Sequence, residues 1–150
     1  MKKILVPYDG SESAKCAAKT ALFLAEKLGS EITFITVVNA RPAGMSLYDL
    51  KLHEYINAYE LIAKREKEFS EKKLKELVEE LSCCGIKTKT LVLEGIPDEQ
   101  IIKKATTGNY DLIVMGRRGL SPVKRLFLGS VSQKVLANSP CSVLIDKGVC

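Results

Sequence analysis

The chain has 150 residues, a formal net charge of +5, 46% hydrophobic and 27% charged residues, which fits one globular α/β domain over residues 1–150 that buries about 70% of its unfolded surface. No apolar stretch approaches the ~20 residues that a membrane-spanning helix requires and no signal-peptide pattern follows Met1, so we expect a cytoplasmic protein without a membrane partner. Five cysteines without a Cys-x2-Cys pair, beside a single histidine, exclude a zinc site of the usual spacing, and we interpret Cys16 and Cys141 as buried small apolar side chains in a domain that needs no disulfide.

Strand and helix patterns alternate along the chain without linkers or repeats. The predicted elements, in chain order, are a strand over Ile4 to Val6, a helix over Ala14 to Leu28, a strand over Ile32 to Val38, a helix that ends at Gly85, a strand over Ile86 to Leu93, a helix from Pro97 to about Thr106, a strand over Asp111 to Met115, a helix over Ser130 to Asn138 and a strand over Cys141 to Ile145. The strands are continuously apolar and separated by helices, which indicates a parallel sheet covered on both faces. The predicted fold class is therefore α/β, doubly wound.

Two helices carry recognisable end signals. The first has Ser11 or Ser13 available as its N-cap and Gly29 as its stop. In the last helix, Ser130 and Gln133 have the spacing of a capping box, in which the Ser130 side chain accepts the Gln133 N–H. As a bare helix start, this arrangement requires no ligand.

The segment from Arg41 to Cys84 is too long for one helix docked on the sheet. A helix from Leu47 would measure ~57 Å, whereas a domain of this size is only ~40 Å across. A regular apolar stripe, formed by Leu74, Leu77, Val78 and Leu81, predicts a docked helix in the second half of the segment. We therefore expect Arg41 to about Leu52 to form a loop or a protruding turn.

The basic residues do not form a nucleic-acid-binding arm. Between Lys64 and Glu80, six basic and six acidic residues interleave, which predicts the solvated face of a helix. A local excess of cations remains further along the chain, at Arg117, Arg118, Lys124 and Arg125. Since no aromatic residues for base stacking lie among them, they favour a compact anionic ligand and no nucleic acid.

A glycine-containing segment lies beside these cations, directly after the fourth predicted strand. It reads Gly116-Arg117-Arg118-Gly119, then nine residues, then Gly129-Ser130 at the start of the last helix. Glycines allow a ligand to approach the backbone closely, and the N–H groups of a helix start attract anions. The spacing predicts a phosphate-binding site, although two loop glycines would also serve a turn.

The motif resembles the Gly-x2-Gly-x9-Gly-Ser/Thr pattern of the ATP-binding branch of the universal stress protein family. Val6-Pro7-Tyr8-Asp9-Gly10-Ser11 is similar to the first strand and turn of that family, and Ser139-Pro140-Cys141-Ser142-Val143-Leu144-Ile145 to its last strand. The resemblance implies a five-stranded parallel sheet in the order 3-2-1-4-5 (Rossmann-like), binding of ATP with Mg²⁺, and a homodimer formed through the last strand, Cys141 to Ile145.

The resemblance also implies which residues contact the adenine nucleotide. They are Pro7, Asp9, Val37, Met115, Gly116, Gly119, Gly129, Ser130 and Val131. Asp9 would accept hydrogen bonds from the ribose hydroxyls or help to hold Mg²⁺. Alternatively, Asp9 would only form the turn before Gly10. The chain departs from the usual family pattern at Arg117 and Arg118, and at Thr36, where the family often has a histidine.

These patterns lead to one predicted function and two alternatives. We expect an ATP-binding stress-response or signalling module in which the bound nucleotide sets conformation or partner choice, with no catalytic residue. The alternatives are a slow ATPase or nucleotidyl-transfer enzyme, and a structural dimer module without nucleotide. A P-loop NTPase and a dinucleotide-binding enzyme are excluded, because neither Gly-x4-Gly-Lys-Ser/Thr nor Gly-x-Gly-x2-Gly is present.

Overall fold

The computed structural model describes residues 1–38, 52–81, 85–117 and 128–148, with only the helical backbone for residues 52–59. Nine elements lie in these ranges: β1 (Lys3–Pro7), α1 (Glu12–Leu28), β2 (Glu31–Val38), α2 (Leu52–Leu81), β3 (Thr88–Glu94), α3 (Pro97–Gly108), β4 (Leu112–Gly116), α4 (Ser130–Asn138) and β5 (Ser142–Asp146). The predicted alternation of strand and helix is confirmed, with ends that shift by one or two residues, except for α2, whose end is predicted at Gly85 and lies at Leu81.

The five strands form one sheet in the order β3-β2-β1-β4-β5, and every pair is parallel. The predicted fold class and strand order are therefore confirmed. In the sheet β1 lies between β2 and β4, with Ile4 opposite Ile32 on one side and Leu112 on the other. The strand order reverses at this point, which is where doubly wound sheets bind their ligands, outside the carboxyl ends of the strands.

Helices cover both faces of the sheet and create two apolar cores. On one face, α1 and α2 pack against alternate strand residues such as Val6 and Phe34. On the other face, α3 and α4 pack against the intervening residues such as Leu5 and Ile35. This alternation is the period of two that a strand imposes, and both of its faces are apolar because the sheet is covered on both sides.

The helix ends agree with one predicted cap and contradict the other. The Ser11 side chain accepts the Ala14 N–H at 3.2 Å, and Gly29 ends α1 with a positive φ of 62°. In α4 the N-cap is Gly129, and the Gln133 N–H donates to the Gly129 carbonyl at 2.8 Å. The predicted capping box at Ser130 is wrong, because Gly129 adopts the extended N-cap conformation and Ser130 is already the first helical residue.

Helix α2 has 30 residues, about 45 Å at 1.5 Å per residue, so it is longer than the face of the sheet that it covers. Leu74 and Leu77 in its second half are 1% and 3% exposed in the first core. The predicted docked stripe is thus confirmed, and the helix ends at Leu81. The loop predicted for Arg41 to Leu52 lies outside the described residues, except Leu52, where α2 begins.

The cysteines differ from their predicted role. Cys16 is 3% exposed, as expected, but it is disulfide-bonded. Cys141 is a free thiol that is only half-buried, because it precedes β5, which pairs with β4 alone among the described strands. The interpretation of both residues as simple buried apolar side chains is therefore wrong. Among the described helices, none combines the length and the apolar character needed to cross a membrane.

Candidate functional site

A cavity of about 610 Å³ opens at the carboxyl ends of β1, β2 and β4, at the point where the strand order reverses. Its described walls come from the turn after β1, the end of β2, helix α2, the first turns of α3, the end of β4 and the start of α4. The volume lies within the ~300–1,000 Å³ of small-molecule sites. The cavity is therefore the candidate functional site.

The structure brings most of the predicted contact residues together in this cavity. Eight of the nine line it: Pro7, Asp9, Val37, Met115, Gly116, Gly129, Ser130 and Val131. The ninth, Gly119, lies outside the described residues, as do Arg118, Lys124 and Arg125. The described part of the glycine motif and the turn after β1 thus face one shared space, as adjacent parallel strands require.

Asp9 forms a turn and also faces the cavity. Its Oδ1 accepts the N–H of Ser11 at 2.9 Å, and Gly10 between them has a φ of +85° that favours glycine. This is the turn that the sequence predicts as one of two roles. The second carboxylate oxygen, Oδ2, has no hydrogen-bond partner among the described residues, so it is available to a ligand hydroxyl or cation.

The first turn of α4 presents backbone donors to the cavity. The N–H groups of Ser130, Val131 and Ser132 have no acceptor within the helix, because the first intrahelical bond begins at Gln133. No side chain caps this end, and all three residues line the cavity. With the positive end of the helix dipole, the three N–H groups favour an anion at this wall.

The end of β4 is fixed by several contacts. The Ser132 hydroxyl donates to the Gly116 carbonyl at 3.0 Å. Backbone bonds link the Arg117 N–H to Asp146 at 2.8 Å and the Gly129 N–H to the Arg117 carbonyl at 2.9 Å. These bonds hold the start of α4 against the end of β4, at the edge of the cavity.

Gly116 has a structural role that the motif did not reveal. A Cβ at this position would lie 2.6 Å from the Ser13 Oγ and 2.7 Å from the Ser13 carbonyl carbon and oxygen. No real side chain tolerates such contacts, so the first turn of α1 requires glycine here. This close packing explains Gly116 without a ligand.

The opposite wall of the cavity is apolar. It is formed at the end of β2 and the start of α3, where Ile35, Val37, Pro97 and Ile101 line it. The strand β1 separates the β2 part of this wall from β4 and the N–H groups that follow it, because β2 and β4 flank β1 on opposite sides. The α3 part lies beside α4, where Lys134 Nζ is 3.3 Å from Asp98 Oδ2. A ligand that spans the cavity would therefore meet an apolar surface at one end and hydrogen-bond donors at the other.

Tyr8, next to Asp9, also lines the cavity. Burial raises the pKa of the Tyr8 phenol above its ordinary value, while the charge of Lys15 acts in the opposite direction. The side chain is therefore uncharged at neutral pH and does not place a negative charge beside Asp9.

Four residues of α2 also line the cavity, and sequence reasoning did not find them. They are Glu66, Phe69, Ser70 and Lys73. Their spacing of three, four and seven residues places them on one helix face, which continues into the buried stripe at Leu74 and Leu77. The helical period, continued toward the N-terminus, could have indicated them, but their charges were interpreted as a solvated face.

The described residues offer little for a resident metal. They contain no group of three or more histidine, cysteine, aspartate or glutamate side chains arranged to hold an ion. The carboxylates that line the described part of the cavity are Asp9 and Glu66. A divalent cation would therefore need oxygen ligands from a bound molecule in addition to Asp9.

Comparison with known proteins connects this chain to one family. The model of the universal stress protein family matches residues 1–147. Universal stress protein MJ0531 of Methanocaldococcus jannaschii is 35% identical over 147 residues, which cover 97% of this chain and 82% of that protein.

Solved structures resemble the chain over nearly its whole length. The structure of MJ0577, also of M. jannaschii, gives a TM-score of 0.81 at 28% identity, covering 97% of this chain and 94% of that one. A universal stress protein in complex with cAMP gives a TM-score of 0.67 at 23% identity, covering 99% and 98%. At 23% identity, the similarity to the structure with cAMP shows a common fold and no more.

Proposed function

The chain belongs to the universal stress protein family, and from this premise we propose that it binds ATP with Mg²⁺ in the cavity at the carboxyl ends of β1, β2 and β4. Bound nucleotide would set the conformation or the partner choice of a stress-response module. The observation that carries the proposal is the joint placement of uncapped N–H groups, an available carboxylate oxygen and an apolar wall around one cavity.

The chemistry of each wall suits one part of the nucleotide. The N–H groups of Ser130, Val131 and Ser132 would donate to phosphate oxygens. The apolar wall at Val37 on β2 would contact the purine, since flat aromatic ligands bind apolar surfaces. These ends lie on opposite sides of β1, so the ribose would lie between them, near Asp9.

Asp9 would hold the ribose or the metal through Oδ2. Its other oxygen is held by the Ser11 N–H, which fixes the orientation of the carboxylate before any ligand arrives. Mg²⁺ keeps several waters and is usually bound through substrate phosphates and one or two carboxylates. The cation would therefore arrive with the nucleotide and supply charge neutralisation beside Asp9.

The proposed phosphate contacts can be tested with Ser130→Asp. A carboxylate in the first turn of a helix stabilises the helix, by ~0.3–1 kcal/mol. The same charge would repel a phosphate about 4 Å away, by ~4 kcal/mol per charge pair at an effective dielectric constant of 20. We expect Ser130→Asp to fold normally and to bind ATP at least ~100-fold more weakly by calorimetry.

Gln133→Glu is the matched control. It adds the same charge to the same helix at an exposed position that does not line the described cavity. We expect its affinity for ATP to stay within roughly threefold of the parent protein, because exposed charges are screened. Equal ATP affinity in Ser130→Asp and the parent would show that phosphate does not lie at the start of α4.

We also infer a homodimer through the last strand. Within the described part of the chain, β5 pairs only with β4, and its residues Val143, Leu144 and Ile145 are half-buried. An apolar edge strand of this kind exposes unpaired backbone groups and favours a partner. A second copy of the chain would cover it.

A further inference from the structure

Helix α2 forms a wall of the cavity that the motif residues do not provide. Leu74 and Leu77 fix its second half in the core, and the turns before them extend past the ends of β1 and β2. The face formed by Glu66, Phe69, Ser70 and Lys73 therefore covers the same cavity as the start of α4. A ligand in the cavity would lie within reach of these side chains.

Lys73 is the cation on this wall. Its Nζ lies 4.5 Å from the centre of the Phe69 ring, a cation–π contact that fixes the end of the side chain. A Cβ built on Gly10 would lie 3.2 Å from the same Nζ. The ammonium group therefore lies over the turn after β1, although the Lys73 side chain is only half-buried.

The charge of Lys73 is not neutralised by a carboxylate among the described residues. Other lysines of α2 form ion pairs, Lys72 with Glu76 at 3.9 Å and Lys67 with Glu94 at 3.8 Å. Lys73 has no described carboxylate within 4.0 Å of its ammonium group. The contact that its charge makes is the cation–π contact with the Phe69 ring. A cation that faces a cavity without an acidic partner suits an anionic ligand.

We propose that Lys73 is a further ligand-binding residue, whose ammonium group contacts the phosphate chain of the bound nucleotide from the side opposite α4. This inference rests on the proposed nucleotide binding. The Phe69 ring, 4.5 Å from Nζ, holds the ammonium group over the turn after β1, on the cavity side of α2. Lys73 therefore distinguishes phosphorylated ligands from the neutral nucleoside.

The experiment compares ATP with adenosine. The parent, Lys73→Met and Lys72→Met are titrated with each compound by calorimetry in the presence of Mg²⁺, after circular dichroism shows that each variant folds. We expect Lys73→Met to bind ATP about tenfold or more weakly and to bind adenosine within roughly twofold of the parent. Lys72→Met is the matched control, because it removes the neighbouring charge from an exposed pair, and it should bind ATP like the parent.

The outcomes separate this inference from the proposed function. If the parent binds ATP and Lys73→Met binds it equally well, the role of Lys73 is wrong while nucleotide binding stands. An equal loss of affinity for ATP and adenosine would also overturn the role of Lys73, because the substitution would then have changed the shape of the cavity and not a contact with phosphate. If the parent binds neither compound, both proposals are wrong. Lys73→Gln replaces Lys73→Met if that variant does not fold, and Lys73→Arg should retain most of the ATP affinity.

Discussion

Replacing Gly116 by alanine tests whether the close packing of β4 against α1 explains this motif glycine. The added Cβ would lie 2.6–2.7 Å from three atoms of Ser13, two of which belong to its backbone. Ordinary carbon contacts are ~3.5–4.0 Å, so the start of α1 would have to move by about 1 Å. We therefore expect Gly116→Ala to destabilise the fold.

The loss of stability in Gly116→Ala depends on how far the start of α1 can move away from the added Cβ. Overpacking typically costs ~1–3 kcal/mol, and the upper half of that range applies because the Ser13 carbonyl is part of a helix. For a chain of this length 1 kcal/mol corresponds to ~2–4 °C in Tm. Differential scanning calorimetry should therefore show a decrease of roughly 5–10 °C.

Ser13→Ala provides the control for this prediction. The Ser13 Oγ is buried and has no hydrogen-bond partner in the described ranges, so its removal alone should be neutral or slightly stabilising. Combined with Gly116→Ala it should restore only part of the lost Tm, because the backbone contacts remain. A Tm within about 2 °C of the parent in Gly116→Ala, less than 1 kcal/mol, would refute the packing argument, and complete rescue by Ser13→Ala would place the whole clash on the hydroxyl.

Two further predictions concern acid stability and assembly. The N–H groups of Lys2 and Lys3 donate to Asp111 Oδ2 at 2.6 and 2.9 Å and lower the pKa of Asp111; this stabilisation is present above about pH 4 and lost as pH falls through the depressed pKa. The urea midpoint of Asp111→Asn should therefore lie below that of the parent at neutral pH, and the two midpoints should converge in acid. A difference in midpoint that does not change with pH would show that the ionised Asp111 carboxylate is not its cause. Val143→Asp should convert a dimer into a monomer by light scattering at micromolar concentration, and a parent that is already monomeric, or a variant that stays dimeric, would count against the β5 interface.

The elements of the fold were predictable because each strand contains an apolar run bounded by turn residues, although β3 also includes Thr88, Lys89 and Thr90. The exact first and last residues of a strand depend on its pairing with neighbouring strands, which the sequence does not display. β3 begins at Thr88, which pairs with Ile32, whereas Ile86 precedes the strand and packs on the first core. Strand order came from the family resemblance, since the apolar pattern of a strand does not identify its neighbours.

The candidate site was predictable only in part, for a similar reason. The predicted strand order places β1 and β4 next to each other, as the structure does. The residues that follow these two strands were therefore expected to lie close together. The role of Gly116 against Ser13 depends on the approach of α1, which no local pattern encodes. The wall formed by α2 was missed because its balanced charges resemble a solvated face, and only the position of the helix shows that Phe69 and Lys73 cover the cavity.

The most direct test of the central proposal is a titration of the nucleotide-free parent protein with ATP and Mg²⁺ by isothermal calorimetry. The arrangement of N–H groups, Asp9 and the apolar wall predicts one ATP per chain with a Kd in the micromolar range, about −8 kcal/mol. The same titration of Ser130→Asp should show the loss predicted above. No binding to the folded parent at concentrations up to about 1 mM, beyond about −4 kcal/mol, would contradict the proposal that this cavity is an ATP site.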